Sequence, residues 1–282
     1  MRKAALLPAL MLAAAAAVPA ALHAAPEAPA VATADPEMAK VLADPRRDSD
    51  RVRDAFRHPA ETLAFFRIKP GMTVADYMPS SGWYTRILVP YLGDKGQYIG
   101  ITAGLATATG DTRTRLANFP GFFPGKAAGW TGVPAARIPA FTLDAVPAER
   151  KGTVDRVMIM REVHNMWPDN YLYNDLAAIR SLLKPDGLLG IEEHRAKPDA
   201  PASYTLGTMG YMREADVIAL IEAHGFKLVA KSEINANPKD SADWPDGVWT
   251  LPPVLTLKDK DRAKYEAIGE SDRMTLLFAK RP

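Results

Sequence analysis

The sequence predicts a single α/β domain with a mostly parallel sheet of about seven strands and helices on both faces. First, apolar segments of strand length alternate with amphipathic helical segments, the pattern of βαβ units. Second, residues 74–85 combine an apolar strand start, the acid Asp76, a turn-prone cluster at 79–82 and a helix with apolar residues three or four apart. Such a strand–turn–helix unit is either an ordinary connection or a loop whose N–H groups approach a nucleotide or anion.

The first 24 residues have the pattern of a secretory signal peptide. Arg2 and Lys3 precede an alanine-rich apolar run, and Ala24 offers a small residue for cleavage. An uncleaved membrane anchor is the alternative, because roughly 18 apolar residues just span a bilayer. Alanine contributes little transfer energy, which favours cleavage, a periplasmic or secreted protein, and no stable membrane insertion afterwards. Residues 25–44, rich in Ala, Pro and Glu, are predicted to be a flexible leader, and residues 45–282 the α/β domain.

The composition of the remaining chain excludes several classes of protein. Without Arg2 and Lys3 the 35 basic residues become 33, equal to the 33 acidic residues. This balance argues against nucleic acid as a partner, which requires a basic excess. The chain has no cysteine, so disulfides and thiolate metal sites are excluded. A chain of about 258 residues is long enough to be stabilised by its core alone.

The elements follow one another without an internal repeat. A helix over 49–66 is expected to break at Pro59, because proline removes a backbone donor. The first strand begins at Thr73. Further strands are predicted at 97–101, 138–143, 154–160, 188–191, 226–232 and 273–279, and helices at 83–92, 111–118, 174–183, 213–224 and 258–268. Residues 119–134, dense in Gly, Pro and aromatics, are predicted to be a loop that packs on the body or lines a site.

Polar residues follow the ends of neighbouring predicted strands, where open parallel sheets bind ligands. His164 and His194 fall at two such ends, with Glu162, Glu192 and Glu193 nearby. Two histidines beside glutamates are suited to acid–base chemistry or to a metal; alternatively, they hydrogen-bond loop backbone. We predict no metal, because the sequence has no dense ligand spacing. His164 and Asn165 are expected at the mouth of the pocket.

Several motifs carry a resemblance that covers roughly residues 43–282. Asp76 closes the first strand, Leu-Lys-Pro-Asp-Gly stands at 183–187, and His-Gly-Phe stands at 224–226. In these features the chain resembles class I S-adenosylmethionine-dependent methyltransferases. More narrowly, it resembles a family of exported predicted methyltransferases, in motifs at 80–85, 161–165, 193–195, 210–214, 232–240 and 269–274.

The resemblance implies a Rossmann-like class I methyltransferase fold with an antiparallel last strand. It also implies methyl transfer from S-adenosylmethionine to a small molecule, with the protein holding donor and acceptor in line. Two groups of site residues follow from it: Asp76, Met78, Ser80, Gly82, Trp83 and Thr102 toward the cofactor, and His164, Asn165, Glu193 and His194 toward catalysis. In this assignment His164 or Glu193 accepts the proton of the nucleophile.

The chain departs from the methyltransferase pattern at two places. Met78 and Ser80 stand where glycines are typical, and a side chain there restricts the backbone. The second strand ends at Thr102 instead of at an acid that binds both ribose hydroxyls. We therefore expect weak cofactor binding. The alternatives are a repurposed fold that catalyses hydrolysis or isomerisation, and a binding protein without catalysis.

Overall fold

The computed structural model describes residues 35–282, in which a seven-stranded sheet forms the centre of the molecule. The predicted signal peptide and residues 25–34 lie outside the described residues. The strands are β1 (Thr73–Tyr77), β2 (Gln97–Thr102), β3 (Ala140–Thr142), β4 (Val154–Met160), β5 (Leu183–His194), β6 (Phe226–Ser232) and β7 (Arg273–Lys280). Their order is β3-β2-β1-β4-β5-β7-β6, with β7 antiparallel to both of its neighbours. The sheet is therefore mixed, and the expectation of an antiparallel last strand is confirmed.

Ten α-helices accompany the strands within residues 35–282. They are α1 (Pro36–Leu42), α2 (Asp54–Arg57), α3 (Pro59–Phe65), α4 (Thr85–Leu92), α5 (Gly110–Thr131), α6 (Val163–Met166), α7 (Leu172–Leu182), α8 (Ala202–Thr205), α9 (Glu214–Ala223) and α10 (Arg262–Ile268). The predicted break near Pro59 is confirmed, because His58 adopts a left-handed conformation (φ 39°) between α2 and α3.

Helices cover both faces of the sheet, as predicted. On one face α7 and α9 bury Leu176, Ile179 and Val217 against the strands. On the other face α3 and α4 contribute Leu63 and Leu88 to a second apolar cluster. The segment between β5 and β7 adds a third, smaller cluster. With both faces covered, the carboxyl ends of the strands form the edge of the sheet at which polar groups reach solvent.

The prediction of a flexible leader is wrong for the part that the structure describes. Helix α1 buries Met38 and Val41 in the same cluster as α4, and Asp35 caps it by accepting a hydrogen bond from the Glu37 amide at 2.9 Å. The Tyr91 hydroxyl donates to the Asp35 carboxylate at 2.6 Å. The composition of this segment did not predict a helix, because only two of its apolar residues, Met38 and Val41, are buried against the domain. The α/β domain therefore includes residues that precede position 45.

The prediction of a loop at residues 119–134 is also wrong for residues 119–131, which are helical. Helix α5 continues from Gly110 to Thr131 despite Pro120 and Pro124. Phe119, Phe123 and Ala127 are buried at a spacing of four residues, and the Phe119 and Phe123 rings stack with centroids 4.7 Å apart. Burial of this stripe offsets a cost of roughly 3 kcal/mol for an interior proline. Tertiary packing has overridden local propensity.

Strand β5 is longer than predicted. It takes in the Pro-Asp-Gly segment at 185–187, because its register against β4 shifts between Leu183 opposite Val154 and Leu188 opposite Arg156. It also runs on to His194, which brings Glu192 and Glu193 into the sheet.

Within residues 35–282, no helix has the length and apolar character needed to cross a membrane.

Candidate functional site

Two cavities open at the carboxyl ends of the strands. The first, of about 490 Å³, lies between α5 and the ends of β1 and β2. The second, of about 400 Å³, lies between α2, the ends of β1, β4 and β5, and residues 248–254. Both volumes fall in the range of about 300–1,000 Å³ typical of small-molecule sites. The cavities share five lining residues: Tyr77, Met78, Ser80, Glu162 and Asn165.

The turn after β1 keeps a glycine-like backbone without two of the expected glycines. Met78, Ser80 and Gly82 have φ values of 51°, 50° and 76°, so alternate positions are left-handed. The expectation that side chains at positions 78 and 80 would prevent a glycine-like backbone is therefore wrong. The left-handed conformation nevertheless costs each of these L-residues roughly 1–2 kcal/mol in stability. Both Met78 and Ser80 line the two cavities. Strain retained at a ligand-sized cavity is typical of functional sites.

Gly82 packs against an aromatic ring and lines neither cavity. A Cβ at Gly82 would stand 2.3 Å from a ring carbon of Trp130 in α5. The glycine thus permits α5 to approach the turn. Trp83 is buried, and the guanidinium groups of Arg47 and Arg57 lie 5.4 and 4.9 Å from its ring centroid. Its edge reaches the second cavity.

Asp76 and Thr102 are both at strand ends, but they face different cavities. Thr102 lines the first cavity, and its hydroxyl lies 2.9 Å from the Met78 sulfur. Asp76 lines the second cavity and accepts a hydrogen bond from the Tyr98 hydroxyl at 2.9 Å. Burial raises the pKa of Asp76 to about 7, against the opposing effects of this hydrogen bond and of Arg161.

The first cavity has an aromatic wall that comes from α5. Phe119, Phe122 and Trp130 line it, together with Tyr171 from outside α5. Polar side chains also reach this cavity: Ser80, Thr102, Thr112, Arg115, Lys126, Glu162, Asn165 and Asp169. Planar apolar surface beside hydroxyl and carboxylate groups suits a ligand with an aromatic ring and a polar sugar or amino acid part.

A buried carboxylate orients the histidine at the end of β4. The Glu193 side chain, fully buried, lies 2.9 Å from His164 Nδ1 and accepts the His164 amide at 3.1 Å. It also accepts the His194 amide at 2.7 Å. Because Nδ1 of His164 is engaged, Nε2 is the nitrogen available to a ligand. His164 and His194 both line the second cavity, with ring centroids 5.3 Å apart.

The two histidines differ in their affinity for a proton. Burial disfavours the charged form of His164, but the Glu193 carboxylate outweighs it and raises the pKa above the usual value. Burial lowers the pKa of His194 well below its usual value, and the charge on His164 adds to this effect. His194 Nδ1 lies 2.6 Å from the Ser271 hydroxyl. The site therefore pairs a basic imidazole with a neutral one.

His164, Glu193 and His194 also have nitrogen and oxygen atoms that could bind a metal, and these atoms lie within 4.8 Å of one another. The Glu193 oxygens, however, already accept hydrogen bonds from two backbone amides and contact His164 Nδ1. The two Nε2 atoms alone are fewer than the three protein ligands of catalytic zinc sites. We assign no metal to the cluster and describe Glu193 as a positioning residue.

The structure places the residues of the predicted site in four settings. Thr102 lines the first cavity alone, Met78, Ser80 and Asn165 line both cavities, and Asp76, Trp83, His164 and His194 line the second. Asn165 donates to Glu162 at 2.9 Å where the cavities meet. Gly82 and Glu193 line neither cavity: Gly82 permits the close approach of Trp130, and Glu193 orients His164.

Sequence reasoning missed Asp175 on α7. Its carboxylate accepts the Gly104 amide at 3.0 Å and the Tyr77 hydroxyl at 2.7 Å, which fixes the end of β2 to the end of β1. Burial raises its pKa to about 6. An acid in register with Leu172, Leu176 and Ile179, on the buried face of a helix, was the available signal.

A network of arginines was missed as well. Arg53 and Arg57 from the N-terminal segment and Arg161 from the end of β4 line the second cavity. The nearest signal in the sequence was Arg161, a charged residue that directly follows an apolar strand. Nothing local marks Arg53 or Arg57, because their partner Glu270 lies more than 200 residues further along the chain.

No protein-family model matches the chain, and no curated protein matches it. Solved structures are similar to it. The [4+2]-cyclase SpnF is 15% identical, with 80% of this chain and 81% of that chain covered and a TM-score of 0.50. A SAM-dependent methyltransferase from Aquifex aeolicus is 21% identical, with 71% and 93% covered and a TM-score of 0.47.

A third similar structure is the Burkholderia thailandensis 1,6-didemethyltoxoflavin-N1-methyltransferase with bound 1,6-didemethyltoxoflavin and S-adenosylhomocysteine. It is 17% identical, with 92% of this chain and 95% of that chain covered and a TM-score of 0.43. The chain has a Rossmann-like α/β fold. At these identities the likeness concerns the fold alone, because one fold supports many functions.

The left-handed turn gives a stability prediction. Ser80→Gly removes a strain of roughly 1–2 kcal/mol and adds a glycine entropy cost of about 0.5–1 kcal/mol, so we expect a net gain in the free energy of unfolding of up to about 1.5 kcal/mol. Urea denaturation measures the free energy of unfolding. Ser81→Gly is the matched control, since Ser81 is exposed and is not among the left-handed residues; it should lose about 0.5–1 kcal/mol. Equal losses in both variants would contradict the strain at Ser80.

The Glu193–His164 contact gives a titration prediction. Glu193→Gln removes the charge that raises the pKa of His164, so we expect this pKa to fall, whereas in the wild type it lies above about 6.5. Histidine NMR spectra across a pH series measure both values. Since a general base must be neutral, activity limited by His164 should rise with pH through its pKa and shift to lower pH in the variant.

The control is Glu61→Gln on the exposed surface of α3, which should leave the pKa of His164 unchanged. A His164 pKa that is the same in wild type and Glu193→Gln would show that Glu193 does not set the charge on the imidazole.

Proposed function

We propose that this protein transfers a methyl group from S-adenosylmethionine to a small molecule. One observation carries the proposal: two cavities of ligand size meet at the carboxyl ends of β1 and β4, and an oriented imidazole stands in the wall of the second. Two substrates that meet at one point are what an in-line transfer requires. The likeness of the fold to SAM-dependent methyltransferases agrees with this assignment.

The first cavity fits the methyl donor by its chemistry. Its volume is adequate, its aromatic wall at Phe119 and Phe122 suits an adenine ring, and Ser80 and Thr102 offer hydroxyl groups. The left-handed backbone at Met78 and Ser80 gives the turn the shape that a glycine-rich loop provides. When bound, S-adenosylmethionine supplies a methyl group on a positively charged sulfur.

The second cavity would hold the acceptor. Glu193 holds His164 with Nε2 as its available nitrogen, so His164 takes up the proton of an acceptor whose nucleophilic atom must lose one. Asn165 stands at the junction and fixes Glu162 by a hydrogen bond. His194, kept neutral by burial, lies beside His164 in the cavity wall. Trp249 lies 6.2 Å from the His164 ring and helps to exclude water from it.

Binding of S-adenosylhomocysteine to the full chain tests the proposal by titration calorimetry. We expect a Kd in the micromolar range or weaker, because no acid ends β2. Met78→Gly should tighten binding roughly two- to tenfold, since it frees the Thr102 hydroxyl for one neutral hydrogen bond. Glu61→Gln on the exposed surface of α3 is the control and should leave the Kd unchanged, because Glu61 lines neither cavity.

No heat of binding at millimolar ligand would overturn the methyl-donor assignment and favour a repurposed enzyme or a binding protein. A sub-micromolar Kd for the wild type would contradict the cofactor contacts assigned above.

Export of the protein is a further part of the proposal, because residues 1–24 have the pattern of a signal peptide. We expect cleavage after Ala24 or Ala25. The intact mass of the protein from a native periplasmic extract measures the cleavage. A mass that includes residues 1–24 would contradict it and favour an anchor or a cytosolic protein.

A further inference from the structure

Four arginines and two glutamates form a buried network behind and beside the second cavity. The arginines come from distant parts of the chain, and the glutamates stand between them. The members are Arg53, Arg57, Arg161, Arg273, Glu192 and Glu270. Four of these side chains are at most 6% exposed to solvent: Glu192, Glu270, Arg57 and Arg273.

Each glutamate is shared between several guanidinium groups. Glu192 accepts from Arg161 at 2.7 Å and from Arg273 at 3.0 Å. Glu270 accepts from Arg53 at 2.7 Å, from Arg57 at 3.0 Å and from Arg273 at 3.0 Å. Four positive charges therefore face two negative charges in these contacts. Arg273 Nε is buried without a hydrogen-bond partner in the described chain.

The other carboxyl groups of the cavity do not complete these pairs. Asp76 accepts a hydrogen bond from Tyr98, and Glu162 accepts one from Asn165; neither forms an ion pair with an arginine in the described residues. Burial raises the pKa of both groups, that of Asp76 to about 7, so Asp76 carries only part of a negative charge at neutral pH. The His164 imidazole stands in the same wall, but its buried partner Glu193 compensates for its charge, so this pair adds nothing to the arginine surplus.

A surplus of buried positive charge is costly unless an anion compensates for it. We propose that the methyl acceptor is an anion, with a carboxylate or phosphate group that binds Arg53 and Arg161 in the second cavity. This inference rests on the proposed function. Arg53 and Arg161 keep 23% and 18% of their side chains exposed, so they are the guanidinium groups of the network that a ligand reaches. A planar guanidinium binds such oxyanions through two parallel hydrogen bonds.

The charge of the methyl donor supports an anionic acceptor. S-adenosylmethionine carries a sulfonium, an ammonium and one carboxylate, so its binding adds a net positive charge to the site. The donor therefore does not offset the arginine surplus, whereas an acceptor with a carboxylate or phosphate does.

The remaining wall of the second cavity defines the rest of the acceptor. Trp83, Val248, Trp249, Pro252 and Val254 line it and offer apolar and aromatic surface. An acceptor with an apolar or aromatic body and an anionic group would therefore place the body against Trp249 and the anion against the arginines.

Thermal unfolding of the full chain tests the inference with inorganic phosphate and with acetate, each compared with sodium chloride at equal ionic strength. We expect both probes to raise the Tm of the wild type, and the Arg53→Gln/Arg161→Gln variant to lose more than about half of that rise. Both glutamates keep a partner in this variant, because Arg57 and Arg273 remain, so the variant should fold.

Arg51→Gln is the matched control, since Arg51 lies in the same short 3₁₀ helix as Arg53 but pairs with Asp48 on the surface. Arg51→Gln should keep the full rise in Tm. Any general effect of these salts on stability is common to all variants and therefore cancels in the comparison. A larger rise with phosphate assigns a phosphate-bearing acceptor, and a rise with acetate of equal or greater size assigns a carboxylate. Equal rises in the wild type, the double variant and the control would overturn the inference.

Calorimetry with S-adenosylhomocysteine separates the acceptor from the donor. We expect its Kd in the double variant to remain within about threefold of the wild type. A tenfold weaker Kd in the double variant would assign the arginines to the carboxylate of the donor and overturn the inference. If the wild type binds no S-adenosylhomocysteine but still responds to the oxyanions, the proposed function fails while the anion site stands.

Discussion

Two consecutive buried carboxylates at the end of β5 hold the site together. Glu192 and Glu193 are both fully buried, and successive side chains of a strand point to opposite faces of the sheet. Glu192 therefore binds Arg161 and Arg273, whereas Glu193 binds the backbone and imidazole of His164. Removal of one partner of a buried charge pair typically costs 3–5 kcal/mol. The segment after β4, which contains Arg161 and His164, thus has its position set by the neighbouring strand β5.

The same ion pairs connect the N-terminal segment to the sheet. Glu270 accepts from Arg53 and Arg57, and Arg273 links Glu270 to Glu192. The second cavity therefore has a wall made of residues that are remote in sequence but held by charge-assisted hydrogen bonds, which are stronger than neutral ones. A polar wall of this kind specifies orientation, while the tryptophans beside it contribute contact area.

The first cavity depends on packing. Phe119 and Phe123 hold α5 against β2, and Trp130 covers Gly82 at the turn after β1. The turn keeps left-handed backbone at Met78 and Ser80, because the strand before it and the helix after it fix the direction of the chain. One cavity is thus shaped by apolar contacts and the other by charge. They meet at Asn165 and Glu162, where β4 ends.

The alternation of strands and helices could be predicted from the sequence, because an apolar run of strand length, such as residues 157–160 in β4, is a local property. The sequence also placed His164 and His194 at neighbouring strand ends, since parallel strands share one carboxyl edge. Tertiary structure decided that residues 119–131 are helical, because the gain comes from burying Phe119 and Phe123 against distant residues. It likewise decided the arginine network and the pKa of His164, since both arise from contacts between groups far apart in the chain and from burial, which no local pattern encodes.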